Sequence, residues 1–311
     1  MDQRKSVGML SKGFLYRQRL GYGLGDFACN LIWQVISLYL LYFYTDVVHL
    51  GAKSIAVMFM ICRVIDAITD VLVGFAIDKT KTRWGKSRPW FLFGAVPFAV
   101  AAFLAFSVPD ISPDGKLLYA YATYIFLSFM YTVVNIPLAS ILPTLTDDMN
   151  ERTVLATWRK FLAFLGSSIV SATALTLVQV TGRGNEALGF RIVMGMFGIV
   201  GCVCFFLTFF LVRENNLQEN IKSATLKEMI MSLGKNTPWK VFAINIMFMW
   251  TGYFLQSSAL VYYYKYYIGS TSMASMVATI MTVIPMAANL TVAFLAKRLG
   301  KRNLYSGAAL I

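Results

Sequence analysis

In the stretch "RVIDAITDVLVGFAID", running from Arg63 to Asp78, an otherwise apolar segment carries an arginine and three aspartates. With the upstream "SIAVMFMIC" it is long enough to cross a bilayer as a helix, which takes about 20 residues. Arg63, Asp66 and Asp70 are spaced i, i+3, i+7, and a helix brings them to one face over two turns. One charge at mid-bilayer costs about 2.5–3.5 kcal/mol on insertion scales, so three must pair or face a cavity. Two carboxylates about 6 Å apart along the axis can hold a small monovalent cation or share a proton. A purely structural ion pair of Arg63, locking this helix to a neighbour, is the other reading of the same spacing. Asp78 belongs to the helix end and basic loop "GFAIDKTKTRWGK". There a carboxylate can cap the next helix or pair with Arg83, Lys86 or Arg88, a structural or gating role.

Other polar faces have the chemistry of hydroxyl-rich ligands. Asp26, Asn30, Trp33 and Ser37 follow i, i+4, i+7, i+11, just past the glycines of "GYGLGD". Sugars are held by carboxylates and amides that bridge hydroxyls, with an aromatic ring against the C–H face. "YTVVNIP" places Tyr131 and Asn135 one turn apart with Thr132 beside them, and Pro137 and Pro143 are positioned to kink that helix toward a cavity. In "TDDMNERTVLATWRKF", Trp158, Arg159 and Lys160 enter the membrane edge, where basic side chains snorkel. Tyr253, Gln256 and Tyr263 share a later face, followed by an interfacial aromatic belt. Helix packing alone would account for any one of these faces. Their co-occurrence raises the functional case.

The elements that must carry these residues are membrane spans. Of the 311 residues, 58% are hydrophobic and only 14% charged, and the mean hydropathy is +0.62. Apolar runs at roughly 31–45, 54–77, 91–108, 117–143, 161–180, 192–212, 241–264 and 272–296 predict eight transmembrane helices, and "NLYSGAALI" begins a ninth. The net charge of +13 reports topology and not a nucleic-acid partner. With a cytoplasmic N-terminus, 22 Lys and Arg fall in inside segments and five in outside ones, leaving Arg63 alone within the membrane. No removable signal peptide is expected in the first twenty residues. Cys29, Cys62, Cys202 and Cys204 fall within spans as unpaired apolar residues, and the single His49 makes neither a zinc site nor a catalytic triad. No enzyme chemistry and no cofactor are expected.

Six spans precede Arg213, and the longest polar stretch follows. The expected organisation is a six-helix bundle over 1–213, a cytoplasmic linker over 214–238 and an incomplete second bundle over 239–311. "VGFAIDKTKTRWGKSR" and "VAFLAKRLGKRN" repeat a helix end running into a Gly-Lys-containing basic loop, the pattern of a two-bundle transporter with parallel repeats. A twelve-helix arrangement would lack its last three spans, so a fragment or a prematurely ended frame is expected.

As a set, "GYGLGDFACN", "FYTDVV", "RVIDAITD", "DKTKTRWGKSRPW", "YTVVNIP", "ERTVLATWRKF" and "VYYYKYYIG" resemble, in order and spacing, the glycoside–pentoside–hexuronide:cation symporters, relatives of the melibiose permease in the major facilitator superfamily. The resemblance covers essentially the whole chain. It implies an all-α, two-bundle carrier of the bacterial inner membrane, moving a sugar or glycoside with H⁺, Na⁺ or Li⁺. Asp66 and Asp70 match the paired cation-site aspartates, with Thr69 in place of an asparagine, and Tyr131 and Thr132 match as well. Asn135 stands where the permease has an aspartate, Cys29 and Asn30 where it has a Lys-Asp pair, and Ala139 where it has a tryptophan. Arg159, or Lys160 by a one-residue shift, matches a helix-entry arginine. These departures argue against melibiose and, with one carboxylate fewer, favour H⁺ over Na⁺. Asp26 would take over sugar binding. The implied partners are a sugar, a monovalent cation and membrane lipid. A non-transporting sugar receptor or sensor is the alternative.

Overall fold

The computed structural model describes residues 12–214, 226–268, 271–300, 303–305 and 307. The elements are α1 Lys12–Tyr42, continued by a π-helical turn Phe43–Val47; α2 Ala52–Lys79; α3 Arg88–Ala105; α4 Pro113–Ser140; the short α5 Leu142–Leu145; α6 Met149–Gly182; and α7 Glu186–Leu211. Then come α8 Leu226–Lys235, inside the stretch expected as a linker, α9 Thr237–Tyr262 and α10 Thr271–Leu299. No strand occurs among the described residues. The chain divides into two compact units, Met1–Glu219 with Val292–Ile311, and Asn220–Thr291. Most of the expected ninth span, and the side chains of Tyr253 and Gln256, lie outside the described residues.

Among the described residues, five helices are long and apolar enough to span a membrane by length and composition: α1 with its π turn, α3, α4, α6 and α7. Helix α2 is as long but more charged, carrying Lys53, Arg63, Asp66, Asp70, Asp78 and Lys79 along its 28 residues. The spans are also longer than their apolar runs. Helix α1 begins well before residue 31 because its polar half is satisfied by neighbours. Gln18, only 3% exposed, donates to the carbonyls of Leu145 and Arg213, and Arg19 forms a two-pronged ion pair with Glu151 at 2.6 and 2.7 Å. The helix around Pro137 ends at Ser140, and Pro143 starts the separate α5 instead of kinking one long span.

Helix α1 is the pole of the first unit, packed on α6, α7 and α4. Its glycines make that possible. A Cβ on Gly21 would lie 2.6 Å from Leu211 Cβ of α7, one on Gly23 3.1 Å from the Trp158 carbonyl of α6, and one on Gly25 2.5 Å from a Leu138 methyl of α4. Three helices therefore close onto α1 within the five residues 21–25, the small-residue packing expected where no hydrophobic effect drives helices together. At one end the core is aromatic, with the rings of Phe43, Phe106 and Phe190 at 5.0–5.7 Å centroid spacing.

The loop from α2 to α3 is held by a carboxylate, but not by Asp78. That residue is exposed on the last turn of α2 and pairs with none of the described residues. The cap on α3 is Glu214, just past α7, which accepts from the backbone N–H groups of Lys86, Ser87 and Arg88 at 2.8–2.9 Å. In return Arg88 donates to the Phe209 carbonyl at the C-terminal end of α7, at 2.6 and 3.1 Å. An anion at one helix N-terminus and a cation at the other's C-terminus complement both dipoles. Gly85 is fixed twice, by its φ of +107° and because a Cβ there would meet the Glu214 carboxylate at 2.5 Å. Asp78 misses this role because the loop turns the α3 N-terminus toward the end of α7. Arg83 is exposed and lies over the Trp84 ring at 4.7 Å. We expect Glu214→Ala to destabilise the first unit by about 1–3 kcal/mol, the scale of losing charge-assisted bonds to buried donors. Gly85→Ala should do at least as much. Thermal unfolding in detergent measures both, and an unchanged midpoint for Glu214→Ala would show that the cap contributes nothing.

Candidate functional site

Two ladders of polar side chains run through the first unit. The first joins α2 to α4, which lie parallel. Tyr121 donates to the Ser54 carbonyl at 2.9 Å, Arg63 to the Tyr124 hydroxyl at 3.3 Å, Ser128 to Asp66, and Thr132 to Asp70 at 2.9 Å. The rungs recur because Arg63, Asp66, Asp70 and Tyr124, Ser128, Thr132 each repeat at one helical turn. Arg63 also pairs with Asp66 at 3.4 Å, and Thr69 turns its hydroxyl back to the Asp66 carbonyl at 3.2 Å. Asp66 is the fifteenth of 28 residues in α2, about 20 Å from either helix end. Its side chain is 17% exposed and that of Arg63 59%, so the ladder has a closed side against α4 and an open side.

The second ladder joins α1 to α6. Arg159 donates to Asp26 at 2.9 Å, Ser167 to Asn30 at 3.2 Å, and Gln34 to Ser171 at 3.2 Å. Asn30 also donates to the Asp26 carbonyl at 2.8 Å. The lowest rung is the most buried, with Asp26 only 4% exposed. There Arg159 reaches the Tyr22 hydroxyl at 3.2 Å, and Tyr22 donates to the Leu138 carbonyl at 3.0 Å. That carbonyl belongs to the last turn of α4, which has no intrahelical donor, so α1 and α6 together satisfy an orphan group of a third helix. Gly166 allows the approach, since a Cβ there would lie 3.0 Å from the Phe27 carbonyl.

An aromatic pair bridges the ladders. Trp33 of α1 stacks on Tyr131 of α4 at 4.3 Å between centroids and 23° between planes. Phe98 of α3 packs on Tyr131 at 6.1 Å, and the Arg63 guanidinium lies over Trp33 at 5.8 Å. Arg63 thus touches the carboxylate of one ladder and the indole beside the other.

The structure gathers Arg63, Asp66, Thr69, Asp70, Tyr131 and Thr132 on the α2–α4 side, and Asp26, Asn30 and Arg159 on the α1–α6 side, with Trp33 between. Asn135 is half-buried and forms no hydrogen bond with the described residues. Asp78 and Arg83 stand apart at the loop. Lys160 points outward, so Arg159 is the basic residue of α6 in the site. The α1 face differs from the expected one. Ser37 is exposed, and Gln34 continues the ladder in its place, because the i, i+4, i+8 row faces α6 while Trp33 turns to α4. Asp26 was expected as a sugar ligand, yet one carboxylate oxygen is already committed to Arg159. Tyr22, Tyr124, Ser128, Ser167 and Ser171 were missed. The signal for Ser128 and Tyr124 was present in the spacing back from Thr132. Ser167 and Ser171 carried none, since small hydroxyls are common in membrane helices.

A helical bundle with several long apolar helices, its ion pairs and hydroxyl–carboxylate rungs turned between helices, has the make-up of a multi-pass membrane protein. The chain belongs to the glycoside–pentoside–hexuronide:cation symporter family of the major facilitator superfamily, matching the MFS/sugar transport protein family over residues 21–311. It is 38% identical over 291 residues to the isoprimeverose transporter of Lactiplantibacillus pentosus, covering 93% of this chain and 60% of that protein. It is also 38% identical over 260 residues to a putative glycoside/cation symporter of Escherichia coli (strain K12), covering 83% and 56%. The solved structure of the proton:xylose symporter XylE bound to 6-bromo-6-deoxy-D-glucose shares the fold, with a TM-score of 0.63 at 14% identity over 91% of this chain and 69% of that one. The chain thus spans about 60% of the length of the first of these relatives.

Removing one partner of a buried ion pair leaves an uncompensated charge, at a cost of about 3–5 kcal/mol. Asp26→Asn and Arg159→Gln should therefore each lower the thermal midpoint by more than the double variant does. A double-mutant cycle in detergent measures the coupling, and additive losses would show that the two charges do not support each other.

Proposed function

We propose that the protein is a secondary carrier that moves a sugar or glycoside together with a monovalent cation by alternating access. The observation that carries this reading is the pair of carboxylates near the middle of α2, each held by a hydroxyl of α4, with Asp70 exposed on its other side. Charges at that depth are costly against lipid, so their open side belongs to an aqueous cavity. Asp66, Asp70, Thr69 and Thr132 make up the cation site, with Asp70 presenting its open oxygen. Asp26, Asn30, Trp33, Tyr131, Asn135 and Arg159 bind the sugar, with the Arg159–Asp26 pair presenting its remaining donors and acceptor to hydroxyls and Trp33 offering an aromatic platform. Asp78 and Arg83 are structural or gating groups at the loop. Ion and sugar each raise the affinity for the other because the Trp33–Tyr131 stack and Arg63 connect their sites.

The coupling ion is H⁺. Asn135 adds no charge, and Arg63 already neutralises one of the two carboxylates, which leaves little negative charge for a bare alkali ion. The names of the relatives, an isoprimeverose transporter and a glycoside/cation symporter, support the substrate class. The Lys and Arg asymmetry supports an N-terminus on the cytoplasmic side of a bacterial inner membrane.

In the full-length carrier, Asp66→Asn or Asp70→Asn should abolish uphill accumulation while equilibrium sugar binding persists. Normal accumulation by both variants would remove these residues from the cation site. Uptake of labelled isoprimeverose or a glycoside panel into vesicles, driven by an imposed ion gradient, separates a carrier from a receptor. That uptake should collapse with a protonophore and change little on adding Na⁺. Strong Na⁺ stimulation at constant pH and membrane potential would overturn the assignment of H⁺.

A further inference from the structure

The α2–α4 ladder contains a group with no counterpart among the residues assigned above. Ser128, 2% exposed, donates its hydroxyl hydrogen to Asp66 Oδ1, while Arg63 Nη1 stands 3.4 Å from Oδ2 of the same carboxylate. One oxygen of Asp66 thus accepts a hydrogen bond and the other faces a guanidinium. Asp70, one turn further on, has a single partner among the described residues, the Thr132 hydroxyl on Oδ1, and its other oxygen is open. The two carboxylates are chemically alike but not equally available.

We propose that Ser128 is a positioning residue that sets the ion selectivity of this site by holding Asp66 against α4 and Arg63, out of reach of an alkali ion. The proposal rests on the cation-site reading of Asp66 and Asp70. A proton needs one lone pair, which Asp70 supplies. A bare Na⁺ must exchange its water shell for several oxygens at once. Asp66 could contribute to that shell only by giving up a charge-assisted hydrogen bond from Ser128, and Arg63 adds a repelling charge beside it. Helix α4 cannot follow the ion, because Ser128 sits on its buried face, one turn from Tyr124 and one from Thr132, in the row that packs on α2. Thr69 offers no substitute, since its hydroxyl is turned to the Asp66 carbonyl. A hydroxyl at position 128 therefore takes one carboxylate out of the set of alkali-ion ligands without removing its charge.

Substituting Ser128→Ala should release Asp66 Oδ1 and lower the half-saturating Na⁺ concentration by about tenfold, the order of effect carried by one hydrogen bond to a charged group. The probe is Na⁺ alone, titrated against K⁺ at constant ionic strength and pH. The readout is the cation-dependent shift in thermal midpoint of the full-length protein in detergent, which needs no knowledge of the sugar. Ser128→Thr keeps the hydroxyl and should titrate like the parent, whereas Ser128→Ala with Asp70→Asn should lose the Na⁺ response. If Ser128→Ala does not fold, Ser128→Cys, of similar volume and weak as a donor, should shift the titration in the same direction. An Ala or Cys variant with unchanged half-saturation, or with no Na⁺ response at all, would overturn the proposal. So would weaker Na⁺ binding, since it would make the hydroxyl itself an ion ligand. Failure of the H⁺ assignment is a separate result. It appears as Na⁺-driven uptake by the parent protein, whatever the ratio between parent and variant.

Discussion

Within the hydrocarbon of a bilayer there is no water to receive a polar group that the fold leaves over, and this constraint orders the first unit of the protein. Asp26, Arg63, Asp66, Asp70 and Arg159 are ionisable groups on membrane-spanning helices, and each has a partner of opposite charge or a hydroxyl donor on a neighbouring helix. The ladders are the consequence. Once one charged rung is paired across two parallel helices, the residues a turn away face each other too, and serine, threonine or asparagine in those places extends the pairing at little cost. The same rule reaches the backbone, where the Leu138 carbonyl at the end of α4 is satisfied by Tyr22 and Arg159.

Such pairing demands close helices, and the glycines of α1 supply the closeness. Gly21, Gly23 and Gly25 each face a different neighbour, so the segment just before Asp26 is packed tightly on three sides. That tightness fixes the depth at which Asp26 meets Arg159. It also carries Trp33, two turns further along α1, to the α4 face where Tyr131 waits. The α1–α6 contact and the α1–α4 contact thus share one anchor. A shift of α1 by a turn would break the ion pair and the aromatic stack together, and this is the physical sense in which the two ladders are connected.

At the loop end, helix termini do the same work by other means. Glu214 and Arg88 cross-cap α3 and α7, while Gln18 ties α1 to the carbonyls of Leu145 and Arg213. The C-terminal end of α7 is thereby fixed to the loop between α2 and α3. The Trp84–Phe209 contact at 5.6 Å, with Arg88 stacked on Phe209, covers the capped ends from the side.

Much of this was legible in the sequence. Hydropathy and length showed the spans before Arg213, because transfer free energy depends on composition more than on partners. The spacing of Arg63, Asp66 and Asp70 showed one polar face, since helical periodicity is local. The motif order showed the family. What the sequence left open depended on which helix lies against which. Nothing local distinguishes Glu214 from Asp78 as the cap on α3, or Arg159 from Lys160 as the residue turned inward. Nothing local says that Asp26 is already bound to an arginine 133 residues away, or that Gln34 and not Ser37 extends its row. Single-helix periodicity gives the faces but not their partners, and a polar face acquires its chemistry only from the face opposite. The tertiary structure decided that pairing because burying a charge in the membrane leaves few arrangements in which every charge has a partner.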